Sequence, residues 1–206
     1  MALSTFSDLK TSIANYLARD DLTTYIPDFI TLAESRINKD VRSRHMLKRA
    51  TTATTASDDT VLLPENFLEA KDMFVQGSPK TPLTYVTPTH YAGIYGGSSV
   101  GKPKVFTIIG DEFRLGPSPD SAYTLEILYY ERVPALSDSQ TTNDIIFYHP
   151  ELYLYAAMAE AETFLQNDQR VQMWAALYQN ALAGMQKVEE REQISGGSLQ
   201  MRSVYS

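Results

Sequence analysis

The stretch closest to a catalytic motif is Gly97-Ser98-Ser99-Val100-Gly101, which matches the pattern G-x-S-x-G. In hydrolases this pattern forms a nucleophile elbow, in which a strand precedes the serine and a helix follows it. Here a loop rich in glycine and tyrosine precedes Ser99, and the strand-like run KPKVFTII follows it. The order of elements favours a flexible loop over a hydrolase that uses Ser99 as its nucleophile.

Other residues with catalytic or metal-binding chemistry are scattered along the chain. His45, His90 and His149 lie in separate regions, and none stands at zinc-site spacing from another histidine or a carboxylate. Carboxylate pairs such as Glu160 and Glu162 fall on amphipathic stretches, where a solvated face is the ordinary interpretation. The sequence predicts no metal, no cofactor and no enzymatic activity.

The composition limits the classes of partner. The chain of 206 residues has a net charge of -7, which argues against a general nucleic-acid binder because phosphate contacts need a cationic surface. It has no cysteine, which excludes disulfides and fits assembly in a reducing cytosol. The apolar runs are too short for a membrane span, and the amphipathic start of the chain differs from a signal peptide.

The first 50 residues carry two amphipathic helical patterns. The first follows Ser4 and Thr5 as capping residues, and the second begins near Pro27, which the first helical turn tolerates. A run of basic residues follows on the second pattern: Arg36, Lys39, Arg42, Arg44, Lys48 and Arg49. We assign residues 1–50 to the N-terminal helices of a bundle.

Residues 51–148 have a different periodicity. A threonine-rich stretch with Asp58 and Asp59 is followed by short apolar runs bounded by Gly, Pro, Asp or Ser, which is typical of β-strands. Gly110 and Asp111 are placed to form a tight hairpin turn. We therefore predict an antiparallel β module over this range.

Helical periodicity returns at residues 149–194, which predict a helical hairpin that turns at Asn167 and Asp168. Helices from both ends of the chain then form one bundle with the β module inserted between them, an α+β fold. Residues 195–206, the C-terminal arm, begin with a Ser-Gly-Gly-Ser break and predict an extended segment.

Two sets of residues are predicted to contact partners. The alternative for the C-terminal arm is ordinary terminal disorder, and the alternative for the basic run is an ordinary solvated helix end. The arm alternates apolar and polar side chains beyond its glycines, which suits addition to a partner as a strand. The residues assigned to this interface are Gly196, Gly197, Leu199, Met201, Arg202, Val204 and Tyr205. A second set combines tyrosines, which interfaces favour, with the basic run. The residues assigned to this tail or subunit interface are Tyr91, Tyr95, Lys102, Arg36, Lys39, Arg42 and Arg44.

The order of several segments resembles the head-to-tail adaptor proteins of tailed bacteriophages, especially the tail-tubular-A-like connectors of short-tailed ones. The similarity covers about residues 62–192. The matching segments are Leu63-Pro64 with Phe67, Gly101 and Pro103 with Phe106, Pro117 and Pro119, Tyr129-Tyr130 with Pro134, Leu136 and Ser137, and the helical hairpin from Pro150.

This resemblance implies a virion protein at the head-to-tail junction, assembled in the host cytoplasm. It implies a ring of 12 subunits that joins the portal protein to a tail nozzle or tubular protein and surrounds the ejected DNA without reading its sequence. It also implies that the C-terminal arm contacts the portal protein. The alternative is a tail-completion or stopper-like protein at another level of the tail, and a hydrolase that uses Ser99 is a more distant one.

Overall fold

The computed structural model describes residues 3–19, 21–95 and 99–194, which form two compact units. The helical unit consists of the described residues up to His45 and from Val133 onward, and the β unit is Met46–Arg132. The changes of unit thus fall at residues 45/46 and 132/133, whereas the sequence placed them at 50/51 and 148/149. The first strand begins earlier, and the last strand ends earlier, than the sequence pattern indicated.

The described residues contain six helices. They are α1 (Phe6–Leu17), α2 (Ile26–Asp40), α3 (Pro88–Tyr95), α4 (Asp144–Tyr148), α5 (Pro150–Phe164) and α6 (Asp168–Ile194). A 3₁₀ turn, Arg44–Met46, precedes the first strand. All helices except α3 belong to the helical unit, so both ends of the chain contribute to one bundle and the α+β assignment is confirmed.

Helix α5 is the centre of the helical unit, because it contacts α1, α2, α4 and α6. Its run from Ala156 to Ala159 is buried without interruption. A helix that is apolar on all sides must be enclosed by other elements. Even Glu162 of α5 is fully buried, and Arg170 of α6 forms an ion pair with it at 3.0 Å.

Polar side chains hold residues 133–143, the segment that returns from the β unit to the helical unit, in place. The carboxylate of Glu34 accepts a hydrogen bond from the Leu136 N–H at 2.6 Å, and the Asn38 side-chain oxygen accepts one from Val133 at 2.8 Å. Asn143 caps α4 and donates to the hydroxyl of Tyr153 at 2.7 Å. These contacts satisfy main-chain groups that an irregular buried segment leaves without partners.

The β unit contains a seven-stranded sheet. Its strands are β1 (Leu47–Ala53), β2 (Thr60–Leu62), β3 (Phe67–Val75), β4 (Thr81–Tyr85), β5 (Val105–Ile109), β6 (Glu112–Gly116) and β7 (Thr124–Glu131), in the spatial order β1-β7-β3-β4-β5-β6-β2. All neighbouring pairs are antiparallel except β4 and β5, which are parallel. The predicted β module is therefore a mixed sheet that is antiparallel at every other pair.

Helix α3 explains the parallel pair. Parallel neighbours need a crossover connection, usually a helix, since a tight turn can join only antiparallel strands. The connection from β4 to β5 contains α3, in a stretch whose glycines and tyrosines predict a loop. Glycines near Ile94 favour a loop in the sequence pattern, but contacts of Tyr91 and Tyr95 with the sheet hold this segment as a helix.

The turn between β5 and β6 is the predicted two-residue hairpin, since Ile109 pairs directly with Glu112. Gly110 occupies the first central position with a left-handed φ of 62°. A type II′ turn requires glycine at that position, which explains why the order here is Gly-Asp. The hairpin contributes Phe113 and Leu115 to the apolar core of the β unit.

Glu34 generates a pH-dependent prediction. Burial raises the pKa of Glu34, and the hydrogen bond from Leu136 opposes that shift only in part. A carboxyl group with a raised pKa in the folded state opposes folding once it ionises, by about 1.4 kcal/mol per pKa unit. This cost is absent below the ordinary value of 4.5 and grows as the pH rises above it.

Glu34→Gln keeps an oxygen that can accept the Leu136 N–H but removes the charge. We expect its free energy of unfolding in urea to exceed that of the wild type at pH 7, with the difference closing toward pH 4. Glu65→Gln, at an exposed position, serves as the control. A Glu34→Gln effect of the same size at every pH would contradict the assignment.

Candidate interaction surfaces

The predicted interface residues of the C-terminal arm lie outside the described residues. These are Gly196, Gly197, Leu199, Met201, Arg202, Val204 and Tyr205. Their assignment to an interface stays a prediction.

Tyr91 has a structural role within the β unit. Its side chain is buried, and its hydroxyl lies 2.7 Å from the Asp59 carboxylate and 3.1 Å from the Leu115 carbonyl oxygen. Asp59 also accepts a hydrogen bond from Arg114 at 3.1 Å. Burial, together with the hydrogen bond to Asp59, raises the pKa of Tyr91. The residue fastens α3 to the sheet, so its hydroxyl points inward.

Tyr95 lies at the end of α3 and packs on the sheet at a closely fitted position. A side chain on Gly116 would place its Cβ 2.7 Å from the Tyr95 ring, so this contact requires glycine. Tyr95 is half-buried, and Lys102 is exposed. The Lys102 ammonium group donates to the Thr81 hydroxyl at 3.0 Å.

The basic run does not form one continuous helical patch. Arg36 lies on α2 and forms an ion pair with Glu160 of α5, beside the ring of Tyr178. Arg42 follows the end of α2 and donates to the carbonyl oxygens of Asn38 and Val41 at 2.9 and 2.7 Å. Its guanidinium group thus caps the helix, a role that suits a cation at a helix C-terminus.

The remaining members of the run are divided between different elements. Lys39 is exposed near the end of α2, and the side chain of Arg44 is exposed in the 3₁₀ turn. Lys48 and Arg49 belong to strand β1, which the sequence interpreted as the end of the second helical pattern. Of the run, Lys39 and Arg44 lie on the surface of the helical unit.

Ser99 lacks the setting of a nucleophile elbow. Its carbonyl oxygen accepts a hydrogen bond from the Ser118 N–H at 3.0 Å, and Val100 forms an isolated bridge with Ser118. The next regular element is strand β5, where the elbow needs a helix.

Among the described residues, no group of three or more acidic or histidine side chains is arranged to hold a metal ion, and no helix could span a membrane.

Two exposed apolar patches were not identified from the sequence. The first, the α4 cluster, consists of Phe147 and Tyr148 at the end of α4 with His45, whose ring stacks on Tyr148 at 4.2 Å. Phe147 is 64% exposed and Tyr148 is 51% exposed. The sequence signal was present in the dipeptide Phe-Tyr before His149-Pro150, but it was interpreted as the end of the β module.

The second patch, the α2/α5 patch, consists of Tyr25, Leu32 and Phe164. The rings of Tyr25 and Phe164 lie 5.3 Å apart, and all three side chains are about half exposed. Tyr25 and Leu32 are seven positions apart, which places them on one face of a helix. Exposed aromatic clusters of this kind are typical of surfaces that bind other proteins.

The chain is thus an α+β protein of two units, and its helical unit carries exposed aromatic patches of the kind that bind other proteins. A family model described as SU10 adaptor protein matches residues 4–202. The chain therefore belongs to the SU10 adaptor protein family and is a bacteriophage adaptor protein. The resemblance to head-to-tail adaptors is confirmed at the level of the family, and a search of curated proteins found no match.

Substitutions at Tyr91 and Tyr95 test whether the buried hydroxyl of Tyr91 stabilises the β unit. Tyr91→Phe removes a hydrogen bond to a charged group in a buried site, so we expect a loss of about 1–3 kcal/mol in the free energy of unfolding. Tyr95→Phe is expected to change it by less than about 0.5 kcal/mol. Urea unfolding monitored by circular dichroism measures both, and equal losses would contradict the assigned role of Tyr91.

Proposed function

We propose that the protein forms a ring of 12 subunits at the head-to-tail junction of the virion, joins the portal protein to the tail nozzle or tubular protein, and surrounds the DNA channel. The single observation that carries this proposal is the family match across nearly the whole chain, residues 4–202. An adaptor acts by binding its neighbours, which agrees with the exposed apolar patches of the helical unit.

The positions of the two patches support ring formation. A closed ring is built from heterologous contacts, in which two different surfaces of each subunit meet. Tyr25 and Phe164 mark the start of α2 and the end of α5, whereas His45 and Tyr148 follow α2 and precede α5. Each of these helices has 15 residues, about 22 Å of helix. The patches thus lie at opposite ends of the same two helices.

The other predicted interface residues complete the proposal. We assign the C-terminal arm to the portal protein, with Leu199, Met201 and Tyr205 as apolar contacts. Tyr95 and Lys102 of the β unit are assigned to the tail protein or a neighbouring subunit. Lys39 and Arg44 are assigned to an acidic partner surface.

DNA would pass through the ring without adhering to it. The net charge of -7 supports this, because carboxylates that face a channel repel phosphate groups. A ring structure with lysine and arginine along the channel would reject this part of the proposal.

The alternative is a tail-completion or stopper-like protein, which would use similar surfaces at another level of the tail. Native mass spectrometry and electron microscopy of the protein, alone and mixed with its portal protein, separate the two. A closed ring on the portal supports the adaptor. A protein that never joins the portal supports the alternative.

The α4 cluster provides a test of ring formation. Phe147→Asp places a charge on an exposed aromatic site, so we expect the fold to persist while the portal-dependent ring is lost. Val188→Asp, at a 47% exposed apolar position of α6 outside both patches, is the control. Native mass spectrometry measures assembly, and a full ring from Phe147→Asp would exclude the α4 cluster from the subunit contact.

The arm has a separate test. We expect deletion of residues 195–206 to leave the unfolding transition of the remaining chain unchanged and to weaken portal binding at least about tenfold, since a strand-like arm contributes many main-chain contacts. Surface-bound portal protein with full-length and truncated chains in solution measures the difference. Equal affinities would show that the arm does not contact the portal.

A further inference from the structure

The sheet of the β unit opens between two of its central strands. Strand β4 pairs with β3 only over residues 81–83, and then Thr84 and Tyr85 pair with β5 instead. Residues 67–72 of β3 pair with β7 on their other side. The register contains no pair between this half of β3 and β4, so two strand edges face each other across a gap.

Two bulges in β3 account for the opening. The register with β7 shifts between Phe67 and Glu69 and again between Ala70 and Asp72, which leaves Leu68 and Lys71 as extra residues. A bulge bends its strand and increases the local twist. Two bulges within six residues turn β3 away from the direction of β4, while β4 follows β5.

The gap is an apolar groove of about 740 Å³, which we call the β3/β4 groove. It is lined by residues 67–72 and 83–85 together with Phe106 and Ile108. Leu83 and Phe106 are buried beneath it, and Tyr85 stands at its rim with 53% exposure. The rim also carries Glu69, Lys71 and Asp72, so acidic side chains outnumber basic ones there.

The main chain of Tyr85 faces this groove. The N–H groups of Thr84 and Val86 donate to Lys104 and Phe106 on the β5 side, at 3.0 and 2.9 Å. Since alternate residues of a strand direct their main-chain groups to opposite sides, the N–H and C=O of Tyr85 point toward β3. An extended segment entering the groove would meet a strand edge and an apolar floor, the two elements of recognition by strand addition.

We propose that the β3/β4 groove binds residues 199–205 of a second copy of this chain as an added strand. Leu199, Met201 and Tyr205 share one face of an extended segment and suit the apolar floor. Arg202 lies on the opposite face and complements the acidic rim at Glu69 and Asp72.

The length of the arm permits this contact. A segment of 12 residues, the length of 195–206, has a maximum extended length of about 40 Å, and the six residues of β3 along the groove span about 20 Å. The choice of a second copy rests on the proposed function, in which this chain assembles with copies of itself, so that exchanged arms would link subunits before the portal binds. Because the same arm is assigned to the portal, groove binding describes the protein before it contacts the portal.

The absence of cysteine from the sequence allows a direct test by crosslinking. Full-length Thr84→Cys is mixed with full-length Gln200→Cys under mild oxidation, because Thr84 is exposed on the face opposite the buried Leu83 and position 200 lies on the face of the arm opposite Met201. We expect disulfide-linked dimers in about tenfold excess over a mixture with Gln76→Cys, because a bound arm raises the effective concentration of its thiol. Gln76 is, like Thr84, an exposed residue of the β unit.

Four further outcomes decide the proposal. Adding Leu199→Asp to the Gln200→Cys chain should return the yield to the Gln76→Cys level, since a carboxylate opposes burial in an apolar groove. Equal yields from Thr84→Cys and Gln76→Cys would overturn the groove assignment. A disulfide that forms only within single chains of the double variant Thr84→Cys/Gln200→Cys would overturn the second copy as occupant. A closed ring on the portal, formed by chains that give no groove crosslinks before the portal is added, would reject this inference and leave the proposed function standing.

Discussion

The enclosure of helix α5 is the constraint on which the helical unit depends. An uninterrupted run of buried small and apolar residues, from Ala156 to Ala159, requires neighbours on all sides. Helices α1 and α2 come from the start of the chain, and α4 and α6 come from its end. The β unit, Met46–Arg132, is therefore an insertion in the helical unit. The helical unit can form around α5 provided that the points where the chain leaves it and returns to it are held in place.

Polar contacts hold the chain both where it leaves the helical unit and where it returns to it. On the outgoing side, the Ser43 hydroxyl donates to Glu189 of α6 at 2.5 Å, and the Arg44 N–H donates to the same carboxylate at 3.1 Å. On the returning side, Asn38 and Glu34 bind the main chain at Val133 and Leu136. A buried carboxylate adds little net stability, but it penalises any other position of the main chain that it binds. Glu34 and Glu189 therefore specify where the chain leaves and re-enters the bundle.

The β unit meets the complementary requirement that its two ends lie together. Its first strand, β1, pairs with its last, β7, and Leu47 stands opposite Tyr130. Paired residues in an antiparallel sheet lie about 5 Å apart. An insertion whose ends are adjacent adds no spacing constraint to the host. Two sets of contacts therefore support the α+β layout. Polar side chains fix the chain where it leaves and re-enters the helical unit, and main-chain pairing of β1 with β7 holds the two ends of the β unit together.

The local parts of this fold were predictable from the sequence, and the long-range parts were not. Helical periodicity located α1, α2, α5 and α6, and Gly110-Asp111 located the hairpin, because each signal lies within a few residues. The burial of Tyr91 and the pairing of Arg36 with Glu160 depend on residues far away in the chain. The same is true of the groove, because it results from the register of β3 against β7.

The edges of the sheet explain why an internal gap is the suitable place for a strand to be added. Exposed edge strands invite open-ended association, and proteins shorten them or charge them. Here β2 has only three residues, and β1 carries exposed Lys48 and Arg49. A strand that enters the β3/β4 groove is flanked by β3 on one side and β4 on the other, so it offers no new edge. Each groove therefore accepts one arm and leaves no strand edge to which a further chain could pair.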